Sequence, residues 1–363
     1  MRRVLLSGYY GFDNSGDDAI LRAIVKDLRE QDQDISIVVL SNNPRKTEEI
    51  YRVKAVNRFS LRDIVREIRA TDLFISGGGS LLQDITSNRS LWYYLMTMQL
   101  AIFFKKPFMV YANGIGPINN RINRRLTRHI LNKADFITLR DEDSRAFVQE
   151  LGVKNKNILV TSDPVFTLEA SSRTRVEEIF SQEGIPRDRK LIGISIRPWE
   201  NDQGLMEALK ELIDFIGKNY DVNIVLIPMH HPEDLEMSEE LLGLGDFVYV
   251  LRQQYSVEDI MGLIRELELI LAMRLHALIY AASQRVPIVG LIYDPKLSGL
   301  IKILEIENYL DVQSIRGQDL IGEFRKVWEK RQEISEALAL HEARQEEMAR
   351  KNISIVYRLL DKK

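Results

Sequence analysis

Three side chains with matching chemistry stand close together late in the chain. The segment Leu271-Ala272-Met273-Arg274-Leu275-His276-Ala277 reads as a strand that ends near Met273 and a helix that begins at Arg274 to His276. A helix N-terminus carries free N–H groups and a partial positive charge, so it attracts anions and disfavours a protonated imidazole. Arginine adds a planar fork that suits a carboxylate or a phosphate. The next apolar run, 287–292, is followed by Tyr293-Asp294-Pro295-Lys296, which puts Lys296 at the neighbouring strand tip. An imidazole, a guanidinium and an ammonium on one sheet edge can hold a small anion and move a proton. A lone histidine is ordinarily structural, so it is the constellation that argues for a catalytic His276.

The first half of the chain has its own candidates. After the first apolar run comes Gly8-Tyr9-Tyr10-Gly11-Phe12-Asp13-Asn14-Ser15-Gly16-Asp17-Asp18. Its glycine spacing is not that of a dinucleotide fingerprint, and Asp17-Asp18 at a helix start would repel a phosphate. Asn14 and Asp17 fit hydroxyl binding or simple helix capping equally well. Gly77-Gly78-Gly79-Ser80 follows another strand, and Gly78 and Gly79 fit either a close backbone approach or a tight turn. Asn113-Gly114-Ile115-Gly116-Pro117 reads as a similar turn. Arg140, beside Asp141-Glu142-Asp143, and Arg197, in Ser195-Ile196-Arg197-Pro198-Trp199, each leave a strand tip as an anion clamp or a structural ion pair. His230-His231 lacks partners at ligand spacing, so no metal is expected.

Elements must bring these residues together. Short β-branched runs alternate with helical patterns, the mark of βαβ units. Strands are predicted at 3–7, 35–40, 72–76, 108–112, 135–139 and 158–161, then at 191–196, 223–227, 248–251, 268–273 and 287–292. Helical periodicity is clear over 18–30 and 205–218. The polar stretch 171–190 separates the series, giving an N-terminal domain over 1–170, a C-terminal domain over 171–340 and a helical tail over 341–363 that packs back on the first domain. In such sheets ligands bind at the carboxyl ends of strands.

Composition narrows the function. With 363 residues there is material for about two domains of ~150 residues each. Fifty Lys+Arg against 53 Asp+Glu give a net charge of −3, which excludes a globally basic nucleic-acid binder. The absence of cysteine removes disulfides, thiolate metal sites and a cysteine nucleophile. No signal peptide is legible, and the apolar stretch 91–110 is broken by Thr97, Gln99 and Lys105-Lys106, so a cytoplasmic protein is expected. The cations Arg121, Arg124, Arg125, Arg128 and Lys133 lie close to the aromatic run Trp92-Tyr93-Tyr94. The pattern fits a solvated helix face, or a patch for anionic lipid or a pyrophosphate group that would give peripheral contact with the inner membrane face.

The order of these pieces resembles the polysaccharide pyruvyltransferase family, and within it the CsaB-type enzymes of secondary cell-wall polymers and surface-layer anchoring. The resemblance rests on Asn14-Ser15-Gly16-Asp17, Gly77-Gly78-Gly79, Gly114-Ile115-Gly116-Pro117, Leu139-Arg140-Asp141, Ser162-Asp163-Pro164, Arg274-Leu275-His276 and Tyr293-Asp294-Pro295-Lys296. It implies a GT-B-like α/β fold of two Rossmann-like domains with parallel sheets facing a cleft. It implies phosphoenolpyruvate as donor, no cofactor, and a sugar diol as acceptor, here a β-linked N-acetylmannosamine on an undecaprenyl-diphosphate carrier that receives a 4,6-ketal. It maps donor roles onto Arg140, His276 and Lys296, with Arg274 in the same motif. Arg197, Asn14, Asp17, Gly78 and Gly79 are expected to line the substrate site. Two rivals share the expected architecture: a glycosyltransferase using a nucleotide sugar, and a non-catalytic two-lobed anion or sugar binder. Against the first, the helix position that commonly carries a ribose-binding glutamate is Tyr280.

Overall fold

The computed structural model of the chain describes residues 2–85, 87–199, 202–293 and 307–362. It divides into two units, Met1–Leu168 with Gln345–Lys363, and Glu169–Arg344. Each is a parallel sheet flanked by helices.

In the first unit the strands are β1 (Arg3–Ser7), β2 (Ser36–Ser41), β3 (Lys54–Asn57), β4 (Leu73–Ser76), β5 (Gly79–Leu82), β6 (Phe108–Ile115), β7 (Phe136–Leu139) and β8 (Ile158–Val160). Their order is β3-β2-β1-β4-β6-β7-β8, with β5 paired to β6. All pairs are parallel. The helices are α1 (Ser15–Gln31), α2 (Pro44–Tyr51), α3 (Leu61–Ala70), α4 (Asn88–Phe103), α5 (Arg121–Leu131) and α6 (Glu142–Glu150). The strand interiors are apolar on both sides because helices cover both faces; Val4, Leu5 and Leu6 are all fully buried.

The second unit begins with α7 (Arg173–Gln182). Then come β9 (Lys190–Ser195), α8 (Asp202–Asn219), β10 (Val222–Leu226), α9 (Glu233–Glu239), β11 (Val248–Val250), α10 (Val257–Arg265), β12 (Leu269–Ala272), α11 (Leu275–Ser283), β13 (Ile288–Ile292), β14 (Tyr309–Asp311) and α12 (Gly317–Glu329). The sheet order is β11-β10-β9-β12-β13-β14. A long helix, α13 (Arg331–Leu360), starts in this unit and ends in the first. There Asn352 meets Thr161 Oγ1 at 2.8 Å, and the Tyr357 hydroxyl donates to the Leu28 carbonyl at 2.6 Å.

Three short strands, β3, β5 and β14, have no counterpart in the sequence reading, and β6 is longer than expected. The segment Asn113-Gly114-Ile115 is not a turn but the end of β6. Ala112 sits at φ +46, the ladder to β7 shifts register there, and β5 pairs in parallel with the stretch beyond it, Gly79 opposite Asn113 and Leu82 opposite Ile115. A bulge of this kind bends a strand and re-aims its side chains.

Candidate functional site

In the first sheet strand order reverses between β1 and β4, where an open α/β sheet leaves a crevice. The loop after β1 leads into α1, which Asn14 caps by accepting from the Gly16 and Asp17 amides at 3.1 and 3.4 Å. Of its two sequence readings, capping is the one the geometry uses. Gly78 is a packing glycine: a Cβ there would stand 2.8 Å from Ile20 of α1. Gly79 has φ +84, and its Cβ would stand 3.0 Å from Asp17 Oδ1. The Asp17 carboxyl therefore rests against bare backbone. Burial, then the neighbouring Asp18, push its pKa up to about 7, against the pull of Arg140 and Arg58.

Arg140 leaves β7 on the same edge. Its amide donates to the Asn113 carbonyl at 3.1 Å, so the bulged end of β6 sets its position. The Asn113 side chain is fully buried and donates to the Ser76 and Tyr111 carbonyls, tying the end of β4 to β6. The guanidinium lies 3.3 Å from Ser80 Oγ, 3.4 Å from Asp163 Oδ2 and 3.7 Å from Asp141 Oδ2. These contacts are long for charge-assisted bonds. Gly114 supplies the room: a Cβ there would stand 2.9 Å from Arg140 Nη2. Asp163 is itself pinned, accepting from the Val165 amide at 3.1 Å.

Arg58 is a further cation that the sequence reading missed. It is almost wholly buried, donates to the Gly8 carbonyl and the Tyr94 hydroxyl, and lies over the ring of Tyr93 at 4.3 Å and that of Phe12 at 5.0 Å. It braces the glycine-rich loop after β1. Nothing in the sequence around Arg58 announces this role.

In the second sheet order reverses between β9 and β12. Arg274 is the N-cap residue of α11 and His276 stands in that helix's first turn, with its ring 6.1 Å from that of Tyr280. Arg274 grips Asp234 of α9 in a bidentate pair, Nε to Oδ2 at 2.9 Å and Nη2 to Oδ1. Asp234 is fully buried and also accepts from the Met229 and His230 amides at 3.2 and 3.1 Å. The Arg274 fork is thus already engaged within its own unit. Asp234 is not among the residues singled out from the sequence. Arg197, past β9, donates to the Tyr293 hydroxyl at 3.1 Å with its guanidinium 5.0 Å from that ring, and Trp199 packs on Tyr293 at 4.7 Å. His230 Nδ1 lies 2.8 Å from Glu233. Lys296 lies outside the described residues. No described helix is long and apolar enough to cross a membrane.

Known proteins give these edges a context. The solved structures that match share the fold. UDP-GlcNAc 2-epimerase from Neisseria meningitidis bound to UDP-GlcNAc aligns over 100% of both chains at 14% identity, TM-score 0.69. HepE from Anabaena in complex with UDP and glucose aligns over 99% of this chain and 100% of that one, at 14% identity and TM-score 0.65. These neighbours are two-Rossmann-domain proteins of GT-B type. In sequence, the amylovoran biosynthesis protein AmsJ of Erwinia amylovora is 21% identical over 405 aligned residues, covering 93% of this chain and 94% of that protein. The family model described as polysaccharide pyruvyl transferase matches residues 14–295, a span that runs from the cap of α1 to just beyond β13, and the chain belongs to that family.

Proposed function

We propose that this pyruvyl transferase takes its group from phosphoenolpyruvate and sets it as a cyclic ketal on a sugar diol, releasing phosphate. The acceptor in this reading is the 4,6-diol of a β-linked N-acetylmannosamine on a lipid-linked cell-wall precursor, as in the CsaB-type enzymes that the sequence resembles. The observation that carries it is His276, which occupies the first turn of a helix beside the strand-order reversal of the second sheet. Such a helix end attracts anions, and the imidazole stands beside it.

The chemistry follows from the donor. Phosphoenolpyruvate is a compact anion whose C2 becomes electrophilic when C3 gains a proton. One sugar hydroxyl then bonds to C2, the C2–O bond to phosphate breaks, and the second hydroxyl closes the ring. Of the two hydroxyl protons, one is balanced by the new methyl group and the other leaves on phosphate. His276 is the group that passes these protons near neutral pH. Arg140 and Lys296 hold donor charge and stabilise the leaving phosphate, and Asp17 faces the acceptor hydroxyls. Arg197, which donates to the Tyr293 hydroxyl at 3.1 Å and to the Pro198 carbonyl at 3.4 Å, is the second-unit arginine that meets substrate charge in this reading.

Tyr280 weighs against a nucleotide-sugar donor, because it is buried inside α11 where a ribose ligand would have to be presented. The test incubates the protein with phosphoenolpyruvate and a β-N-acetylmannosaminide, and separately with UDP-sugars, following phosphate release and ketal formation by mass spectrometry. His276→Ala is expected to lower turnover by about a hundredfold or more while keeping the wild-type melting temperature. Wild-type turnover in that variant removes the histidine from the mechanism, and turnover of a UDP-sugar alone replaces the donor.

A further inference from the structure

The outer faces of α4 and α5 form a surface that the reaction does not use. Ile68 of α3, Leu91, Leu95 and Met98 of α4, and Ile130 and Leu131 of α5 belong to one core cluster. These helices therefore cover the same side of the first sheet, and their opposite faces point outward. On α4 that face carries Trp92 at 53% exposure, Met96 at 36% and Phe103 at 71%. Steps of four and seven residues put all three on one stripe. On α5 it carries Ile122 at 63% and Leu126 at 45%. The two stripes are joined where the Trp92 indole donates to Asn123 Oδ1 at 2.8 Å. Single exposed apolar residues are ordinary, but a contiguous patch on two adjoining helices marks a contact surface.

Charge identifies the occupant. Neither α4 nor α5 contains an acidic residue, although the whole chain has a net charge of −3. Arg89, Arg121, Arg125 and Arg128 are exposed around the apolar stripe. Next to α4, α3 adds a recess lined by Arg62, Val65, Arg66, Arg69 and Ala70. Apolar side chains in the middle with long cationic ones at the rim suit a bilayer of anionic lipid, whose acyl boundary takes the former and whose phosphates take the latter. A second copy of this face would bring arginine against arginine, since a two-fold interface sets a patch against itself.

We propose that the outer face of α4 and α5 docks the protein on the surface of an anionic membrane. The proposal does not depend on the donor or the acceptor, because the test uses vesicles that contain neither. The full chain is floated with vesicles of phosphatidylcholine, with and without phosphatidylglycerol, at low and high salt. Binding is expected to the anionic vesicles and to weaken with salt. Arg121→Ser with Arg125→Ser should lower the partition coefficient roughly 30-fold, at about fivefold per arginine. Phe103→Ser should weaken binding at both salt concentrations. All three residues are exposed, so the variants should melt as the wild type does. Failure of the wild type to float with anionic vesicles at low salt overturns the proposal, as does equal flotation of wild type and arginine variant. A dimer in light scattering that Phe103→Ser converts to monomer also overturns it, by giving the face to a second copy.

Discussion

Replacing Asp17 by Asn tests how a half-buried carboxyl is carried at the edge of the first sheet. The side chain lies in the first turn of α1, against Gly79. Its pKa is raised from 3.8 to about 7, chiefly by burial and then by Asp18, with a smaller push from Asp163. A shift of about three units corresponds to about 4 kcal/mol between the two protonation states. The helix N-terminus returns about 0.3–1 kcal/mol to the charged form, and partial exposure of the residue reduces the figure further, to about 2 kcal/mol. The folded state binds the proton more tightly than the unfolded chain does. The wild-type contribution is therefore intact below about pH 4 and is lost as pH rises towards about 7. Asp17→Asn keeps the shape and removes the charge. It is expected to be more stable than wild type by about 2 kcal/mol at about pH 8, and no more stable at about pH 4. Urea denaturation at both pH values measures this. A variant less stable than wild type at the higher pH would refute the reasoning, because it would mean that attraction to Arg140 and Arg58 outweighs burial and that the carboxylate is held charged.

Gly114→Ala places a methyl group 2.9 Å from Arg140 Nη2 and 3.0 Å from Ser80 Oγ. It should displace the guanidinium and lower pyruvyl transfer about tenfold or more, with a stability loss of only about 1 kcal/mol. Unchanged kinetics would show that the guanidinium's position is irrelevant to turnover. Arg274→Ala strips the partner from a fully buried Asp234 and should cost about 3–5 kcal/mol, read by thermal or urea denaturation. A fully stable but inactive variant would instead make Arg274 a substrate ligand.

Much of this architecture was legible because the strands of a doubly covered parallel sheet are unbroken apolar runs. The reading of 3–7 matches β1 residue for residue, and the other long runs agree within about one residue at each end, apart from β6. What escaped were strands of three or four residues that exist only because of their neighbours. Gly79–Leu82 opens with a glycine, a poor strand former, and pairs because β6 bulges at Ala112 and offers its far end. The site was legible in residue type and less so in partnership. His276 could be placed at a helix start from the run that precedes it. That Arg274 spends its fork on a residue forty positions earlier could not, since the pairing depends on β10 and β12 both flanking β9. Asn14 fitted hydroxyl binding and capping equally in sequence, and only backbone geometry favours capping.

Both units hold an arginine with a buried aspartate that is itself fixed by backbone amides: Asp163 by Val165, and Asp234 by Met229 and His230. The two pairs differ where it matters for an incoming anion. Asp234 meets Arg274 through two parallel bonds, so a competing carboxylate or phosphate would have to break a desolvated pair. Arg140 is steadied by Ser80, Asp163 and Asp141 only at 3.3 to 3.7 Å, while the glycine at 114 leaves space beside it. A guanidinium oriented by weak contacts loses little on turning to a stronger anion, and its orientation is set before the ligand arrives. On this ground we propose Arg140 as the anion ligand of the two, with Arg274 the strut that fixes α9 against the helix bearing His276.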